Sequence, residues 1–124
     1  FQRLKNNGYD PSLKTIFLWE GVTLYLTEAD VHKTLQTIKS NSAPGSILIA
    51  DIYDFDFLKM LAKGSKVLEV TNESLGGFGL DFAADPELAL SHFAESEQTA
   101  LGQHFFLGTN SKNGTFMAVA EIVL

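Results

Sequence analysis

The residue whose type and position most clearly suggest chemistry is Glu20, which lies inside the short apolar run of residues 15–22, TIFLWEGV. Burying a carboxylate costs free energy unless a partner compensates it, and open α/β sheets bind ligands at the carboxyl ends of their parallel strands. Two interpretations stay open on these grounds: Glu20 binds an ammonium or hydroxyl group of a ligand, or it lies past the strand and faces water. Gly21 beside it fits either close approach of a ligand or a simple kink of the chain.

Other polar side chains nearby are weaker candidates. Tyr25 could line the same crevice, although a tyrosine before a helix more often packs its ring there and hydrogen-bonds through its hydroxyl. Asp51, Asp54 and Asp56 resemble a small cation site. Three carboxylates around one strand-to-helix turn seldom converge, however, so we predict no metal. Asp51 remains a candidate for the ligand crevice, because it would face it from the second strand.

Composition and motifs exclude several classes of function. The net charge of −6 and the scattered Lys and Arg residues argue against a nucleic-acid partner. No apolar run approaches the ~20 residues that span a bilayer, so we expect no membrane insertion. The chain has no Cys, which fits a reducing, cytoplasmic location. The histidines have no ligand spacing and no Gly-x-Ser-x-Gly motif is present, so no catalytic residue is assigned.

The elements that must position these residues follow from hydrophobic periodicity. Residues 15–22 and 46–53 are apolar runs of strand length, and residues 28–40 between them have a helical pattern. Such a βαβ unit has parallel strands that are buried on both faces. Further predictions are a helix at 54–62, an irregular segment at 64–84 whose glycines form a hinge or lid, a helix at 85–96, and a C-terminal antiparallel hairpin of 103–109 and 115–124. The sequence therefore predicts one α/β domain over residues 1–124.

Several motifs resemble those of a known family. Residues 19–26 (WEGVTLYL), followed by a helix and by residues 42–46 (SAPGS), resemble the EGV-x-x-YL … APGS signature of the leucine carboxyl methyltransferase-like family. These are class I enzymes that use S-adenosylmethionine. Residues 78–80 before the Asp-Pro-Glu helix resemble the family's FGL…PE segment, and residues 114–121 resemble its closing strand. The resemblance extends over roughly residues 9–124.

The resemblance implies a fold, an activity and a cofactor site. The fold would be a seven-stranded Rossmann-like sheet, of which this chain would supply the last four strands. The activity would be S-adenosylmethionine-dependent O-methyl transfer to a carboxyl or hydroxyl group of an unidentified acceptor. Glu20 would border the cofactor pocket, and Gly21 and Tyr25 would accompany it.

The sequence also departs from the family pattern. The family's glycine-rich loop and the acidic residue that binds the ribose hydroxyls would precede Phe1, and no Gly-x-Gly follows an early strand. We therefore expect a C-terminal portion that is inactive alone and binds S-adenosylmethionine weakly or not at all. Residues 15–22 would form a bare sheet edge, which we expect to pair with a second copy or with a separate N-terminal half. The alternative is a complete non-catalytic interaction module that dimerises through this edge.

Overall fold

One mixed β-sheet organises the chain, of which the computed structural model describes residues 1–64, 75, 77–83, 85–107 and 114–124. The sheet is four-stranded, and helices and short 3₁₀ turns connect its strands. In chain order the elements are α1 Gln2–Lys5, β1 Ile16–Trp19, a 3₁₀ turn Thr23–Tyr25, α2 Glu28–Ser40, β2 Ile47–Tyr53, α3 Phe55–Gly64, α4 Pro86–Ser96, β3 Ala100–Phe106, a second 3₁₀ turn Gly114–Phe116, and β4 Met117–Val123.

The strand order is β1-β2-β4-β3, with one parallel and two antiparallel pairs. β1 and β2 run parallel, with Trp19 opposite Ala50, and α2 connects them, which confirms the predicted βαβ unit. β4 runs antiparallel to both of its neighbours, with Ala120 between Ala50 and His104. The predicted C-terminal hairpin pairing is confirmed, while residues 108–113 of its loop lie outside the described residues.

Helices α2, α3 and α4 begin where side-chain oxygens can accept free backbone N–H groups. The Thr27 hydroxyl accepts from the Asp30 N–H at 3.2 Å, and the Asp85 carboxylate accepts from the Leu88 N–H at 3.1 Å. Asp54 accepts from the Phe57 N–H at 2.9 Å at the start of α3. These caps stabilise the first turn of these three helices, so their predicted starts are confirmed.

The hydrophobic core lies on one face of the sheet, between the strands and helices α2 and α4. The strands contribute alternate residues and each helix contributes one stripe, as their periodicities require. The buried apolar residues of this core are Val31, Leu35, Leu48, Ala50, Ile52, Leu90, Phe93, Ala118, Ala120 and Ile122. Phe78 and Phe82 join them, so part of the segment predicted to be a hinge or lid packs in the core. Residues 65–74, 76 and 84 of that segment lie outside the described residues.

The opposite face of β1 is exposed. Ile16 and Leu18 are 64% and 75% exposed, although both are large and apolar. The prediction that both faces of this strand are buried is therefore wrong for β1, because helices α2 and α4 both pack on the other face of the sheet. β1 is also an edge strand of the described sheet, with β2 as its neighbour.

Candidate ligand site at the carboxyl ends of β1 and β2

Two parallel strands bring acidic residues to the same edge of the sheet. β1 ends at Trp19, and Glu20 and Gly21 come directly after it. Gly21 has a φ of +67°, a left-handed conformation that glycine adopts without strain, so the chain turns away from the sheet there. The strand is therefore shorter than the predicted 15–22. Asp51 and Tyr53 lie at the matching end of β2.

Asp51 fixes the turn after β1. Its Oδ2 accepts the Gly21 backbone N–H at 2.7 Å, and its backbone carbonyl accepts the Thr23 hydroxyl at 2.8 Å. Asp51 and Thr23 are both buried. Two hydrogen bonds thus join the Glu20–Gly21 turn to β2, on either side of Val22.

The other carboxylate oxygen of Asp51 has no hydrogen-bond partner among the described residues. The Tyr53 hydroxyl donates to Oδ2 over a long 3.3 Å, so both donors contact the same oxygen and Oδ1 is left without one. Asp51 is only 6% exposed. Buried carboxylate oxygens normally accept hydrogen bonds, which makes this atom an exception that requires an explanation.

Tyr53 is held in its neutral form by its surroundings. Its burial is the largest cause and acts together with the charge of Asp51, the hydrogen bond to Asp51, and electrostatic interactions with Tyr25 and Glu20; in sum they raise the pKa of the hydroxyl to about 12. At neutral pH, Tyr53 is therefore a hydrogen-bond donor and not a base.

A cleft of about 340 Å³ opens beside these residues. Its wall combines carboxylates with apolar and aromatic side chains, and none of the described residues that line it is Lys, Arg or His. The lining residues are Leu18, Trp19, Glu20, Gly21, Ile49, Ala50, Asp51, Tyr53, Met117 and Val119. Such a cleft favours a ligand with a positively charged group and an apolar body.

The Glu20–Gly21 turn lies in the part of the chain that matches a known family. Residues 1–39 match the model of the leucine carboxyl methyltransferase family. The match includes Glu20, Gly21 and Tyr25, and it confirms the family resemblance over this part of the chain. Asp51 and Tyr53 lie outside the matched residues. No curated protein matches the chain at a significant level.

The structure brings two of the three predicted cofactor residues of this methyltransferase-like segment into the cleft. Glu20 and Gly21 line it, whereas Tyr25 is not among its lining residues and is 40% exposed. Tyr25 lies in the 3₁₀ turn, close enough to raise the pKa of Tyr53. Their role in binding a cofactor stays a prediction.

The three aspartates considered as a cation site have separate roles. Asp51 holds Gly21, Asp54 accepts the backbone N–H groups of Phe57 and Phe82, and Asp56 pairs with a lysine on the surface of α3. Within the described ranges, no group of three or more His, Cys, Asp or Glu side chains could hold a metal ion. The helices in those ranges are likewise too short or too polar to cross a membrane.

A second polar cluster, formed by His32, Glu97 and Glu28, was missed by the sequence analysis. Glu97 is 3% exposed, and its carboxylate contacts His32 Nδ1 and accepts from the Gln36 amide at 3.2 Å. Glu28 lies 3.4 Å from His32 Nε2. Burial lowers the pKa of His32, but the hydrogen bonds and charges of Glu97 and Glu28 outweigh that effect, so the pKa is raised overall. In the sequence, the one local signal for this cluster is the spacing of Glu28 and His32, which lie one helical turn apart. Glu97 has no such signal, because it is 65 residues away from His32.

Proposed function

We propose that this chain is the C-terminal portion of an S-adenosylmethionine-dependent O-methyltransferase acting on a carboxyl or hydroxyl group, with Glu20, Gly21 and Tyr25 at its cofactor site. One observation carries the proposal. The segment that matches the leucine carboxyl methyltransferase family contains the Glu20–Gly21 turn, which lies at the carboxyl end of a parallel strand and lines a cleft. The mixed sheet, with its parallel pair beside antiparallel strands, is compatible with part of a Rossmann-like fold.

The residues of the cleft fit the ammonium end of the cofactor. Glu20 supplies an exposed carboxylate, and charge-assisted hydrogen bonds between a carboxylate and an ammonium group are among the stronger ones in proteins. Gly21 leaves room for close approach, because a Cβ added there would meet no atom within 4 Å. The unpartnered oxygen of Asp51 can accept a further N–H. Glu20 would thus bind the ammonium group, and Gly21 would let the ligand approach the backbone.

The chemistry that this chain contributes is binding and orientation. When bound, S-adenosylmethionine supplies an electrophilic sulfonium methyl group. Tyr53 stays protonated at neutral pH and can donate a hydrogen bond in the cleft, but it cannot remove a proton. A carboxylate acceptor needs no base, since alignment with the methyl group is the main requirement. For a hydroxyl acceptor, Glu20 and Asp51 are the proton acceptors among the described residues of the cleft.

We further propose that the isolated chain binds the cofactor weakly and is inactive. No Gly-x-Gly follows an early strand, so the glycine-rich loop that forms part of the family's cofactor pocket would be missing from this chain. A second copy of this chain or a separate N-terminal half would complete the pocket. Its docking would also cover Ile16 and Leu18.

The test is a protein-observed NMR titration of the full chain with S-adenosylhomocysteine up to millimolar concentration. We expect weak binding, with shifts concentrated at the amides of Glu20 and Gly21. Glu20→Ala should abolish these shifts. Glu95→Ala, which removes another exposed carboxylate, on α4, should leave them unchanged. Three results would contradict a cofactor site at Glu20: shifts at other residues, shifts that persist in Glu20→Ala, or no shifts at millimolar ligand. Tight, micromolar binding would contradict the proposal that the cofactor pocket of this chain is incomplete.

A second candidate function is a non-catalytic module that associates through β1. The exposed side chains of Ile16 and Leu18 on an edge strand favour it, because such edges pair readily with other chains. The two candidate functions predict different binding of S-adenosylhomocysteine by the dimer. A dimer that binds S-adenosylhomocysteine at Glu20 supports the methyltransferase, whereas a dimer that leaves the Glu20 and Gly21 amides unchanged supports the module.

A further inference from the structure

Asp51 extends the candidate site beyond the residues that the sequence motif supplies. We infer that the cleft binds a small organic ammonium group whose N–H donates to Asp51 Oδ1, with Glu20 as the second carboxylate. Asp51 is thereby a binding and specificity-determining residue, and its preferred ligand is an alkylammonium with N–H donors and an apolar body.

The first argument is the state of the Asp51 carboxylate. The Gly21 amide and the Tyr53 hydroxyl both donate to Oδ2, at 2.7 and 3.3 Å, and Oδ1 has no partner in the described part of the chain. The side chain is more than nine-tenths buried, so it cannot be compensated by full hydration. A charged donor that reaches this oxygen forms a stronger hydrogen bond than it would in water.

The second argument is the composition of the cleft wall. Leu18, Ile49, Met117 and Val119 supply apolar surface, and Glu20 and Asp51 supply negative charge. The described lining residues include no cationic side chain, so a cationic ligand is the complementary partner of the two carboxylates. Trp19 and Tyr53 add aromatic rings, which also favour a cation.

Access to Oδ1 requires a small displacement, because that atom is shielded from water. The Tyr53 hydroxyl makes the longer and weaker of the two hydrogen bonds to Asp51, so it is the contact that gives way most easily. An ammonium group carries several donors and can contact Glu20 and Asp51 together. If the proposed function is correct, this ammonium group belongs to the cofactor. The requirement that the ligand carry N–H donors follows from Asp51 and does not depend on that function.

The experiment compares n-butylammonium with n-butyltrimethylammonium by NMR titration of the full chain. Both probes carry one positive charge and the same apolar tail, but only the first has N–H donors. The Gly21 amide is the reporter, because it donates to the same carboxylate. We expect n-butylammonium to bind about tenfold more tightly than n-butyltrimethylammonium, because a tenfold difference in affinity is about what one hydrogen bond to a charged group contributes.

The matched variant is Asp51→Asn. Its amide oxygen can still accept the Gly21 N–H, while its NH₂ group replaces the free acceptor with a donor. We expect the variant to lose the preference for n-butylammonium while keeping the dispersed spectrum of the folded chain. If the variant does not fold, the probe pair on the unaltered chain decides alone.

The outcomes separate this inference from the proposed function. Equal affinity for the two probes, no binding of either, or an unchanged preference in a folded Asp51→Asn would overturn the inference. A shift of Gly21 with n-butylammonium but none with S-adenosylhomocysteine would uphold the ammonium site and count against the methyltransferase.

Discussion

The carboxylate of Asp51 accepts the backbone N–H of Gly21 at 2.7 Å, across the parallel pair of strands. A side chain on β2 therefore sets the conformation of the turn after β1. Because Gly21 lies inside the segment matched to the methyltransferase family and Asp51 lies outside it, the geometry of the motif depends on a residue that the match does not include. Substitutions at either end of this hydrogen bond should therefore disturb the same turn.

Replacing Asp51 with alanine should destabilise the fold. The variant leaves the Gly21 N–H without its acceptor, and losing this part-buried hydrogen bond to a charged group costs about 1.5–3 kcal/mol. Urea unfolding measures the free energy of unfolding. Asp51→Asn is the control, because it preserves an acceptor for Gly21, and it should recover part of the loss. A stability equal to that of the unaltered chain in Asp51→Ala would mean that the hydrogen bond is not formed.

Gly21→Ala should cost about 1–2 kcal/mol, because φ is +67° there and an alanine in the left-handed region is strained. Steric contact cannot explain the loss, since a Cβ at this position meets no atom within 4 Å. Gly64→Ala makes the same chemical change at the end of α3, also in open space, and should be neutral or slightly stabilising. Thermal unfolding of both variants provides the comparison, and equal effects would contradict the backbone argument.

The stability of the fold should depend on the protonation of His32. Its pKa is raised above the ordinary 6.5, so the protonated form stabilises the folded chain. This contribution is complete below pH 6.5 and is lost as the pH rises through the raised pKa. The side chain is 38% exposed, so solvent screens the ion pairs with Glu28 and Glu97 and the effect should be modest.

The measurement for His32 is urea unfolding at a series of pH values between about 5.5 and 8.5, which bracket the titration of histidine. In His32→Gln the loss of stability with rising pH that His32 causes should disappear, because glutamine does not titrate. Identical pH profiles for the two proteins would show that His32 is not linked to folding.

Leu18→Lys should reduce association of the chain without unfolding it. Leu18 is 75% exposed on the uncovered face of β1, and a lysine on an edge strand opposes pairing with another chain. Its stability should change by less than about 0.5 kcal/mol, as is usual for exposed positions. Leu88→Lys, on the exposed surface of α4, is the matched control. Sedimentation velocity should show dimers for the unaltered chain and the control, and monomers for Leu18→Lys. A monomeric unaltered chain would refute pairing of this edge with a second copy.

The local elements of the fold could be predicted because their signals are local. Thr27 and Asp85 mark helix starts by capping, and the apolar run that contains Asp51 has the length of a buried strand. The exposed face of β1 could not be predicted, because a continuous apolar run does not reveal which side the helices cover. The burial of Phe78 and Phe82 depends on long-range packing within a segment whose glycines indicated an irregular loop.

The candidate site was only partly predictable for the same reason. Glu20 and Gly21 are recognisable because a carboxylate and a glycine interrupt an apolar strand. The contact between Asp51 and Gly21 joins residues 30 positions apart, and the contact between His32 and Glu97 joins residues 65 apart. A single sequence carries no periodic signal for such pairs. Only the register of β1 against β2, with Trp19 opposite Ala50, brings the first pair together.

The position of β4 in the sheet has a consequence for synthesis of the chain. β4 is the last of the four strands to leave the ribosome, yet it lies between β2 and β3 and hydrogen-bonds to both. Until residues 117–123 emerge, β3 has no neighbour in the described sheet and one edge of β2 is unpaired. The four-stranded sheet is therefore completed only after translation of β4, and until then the nascent chain presents an open edge of β2 that can pair with other chains.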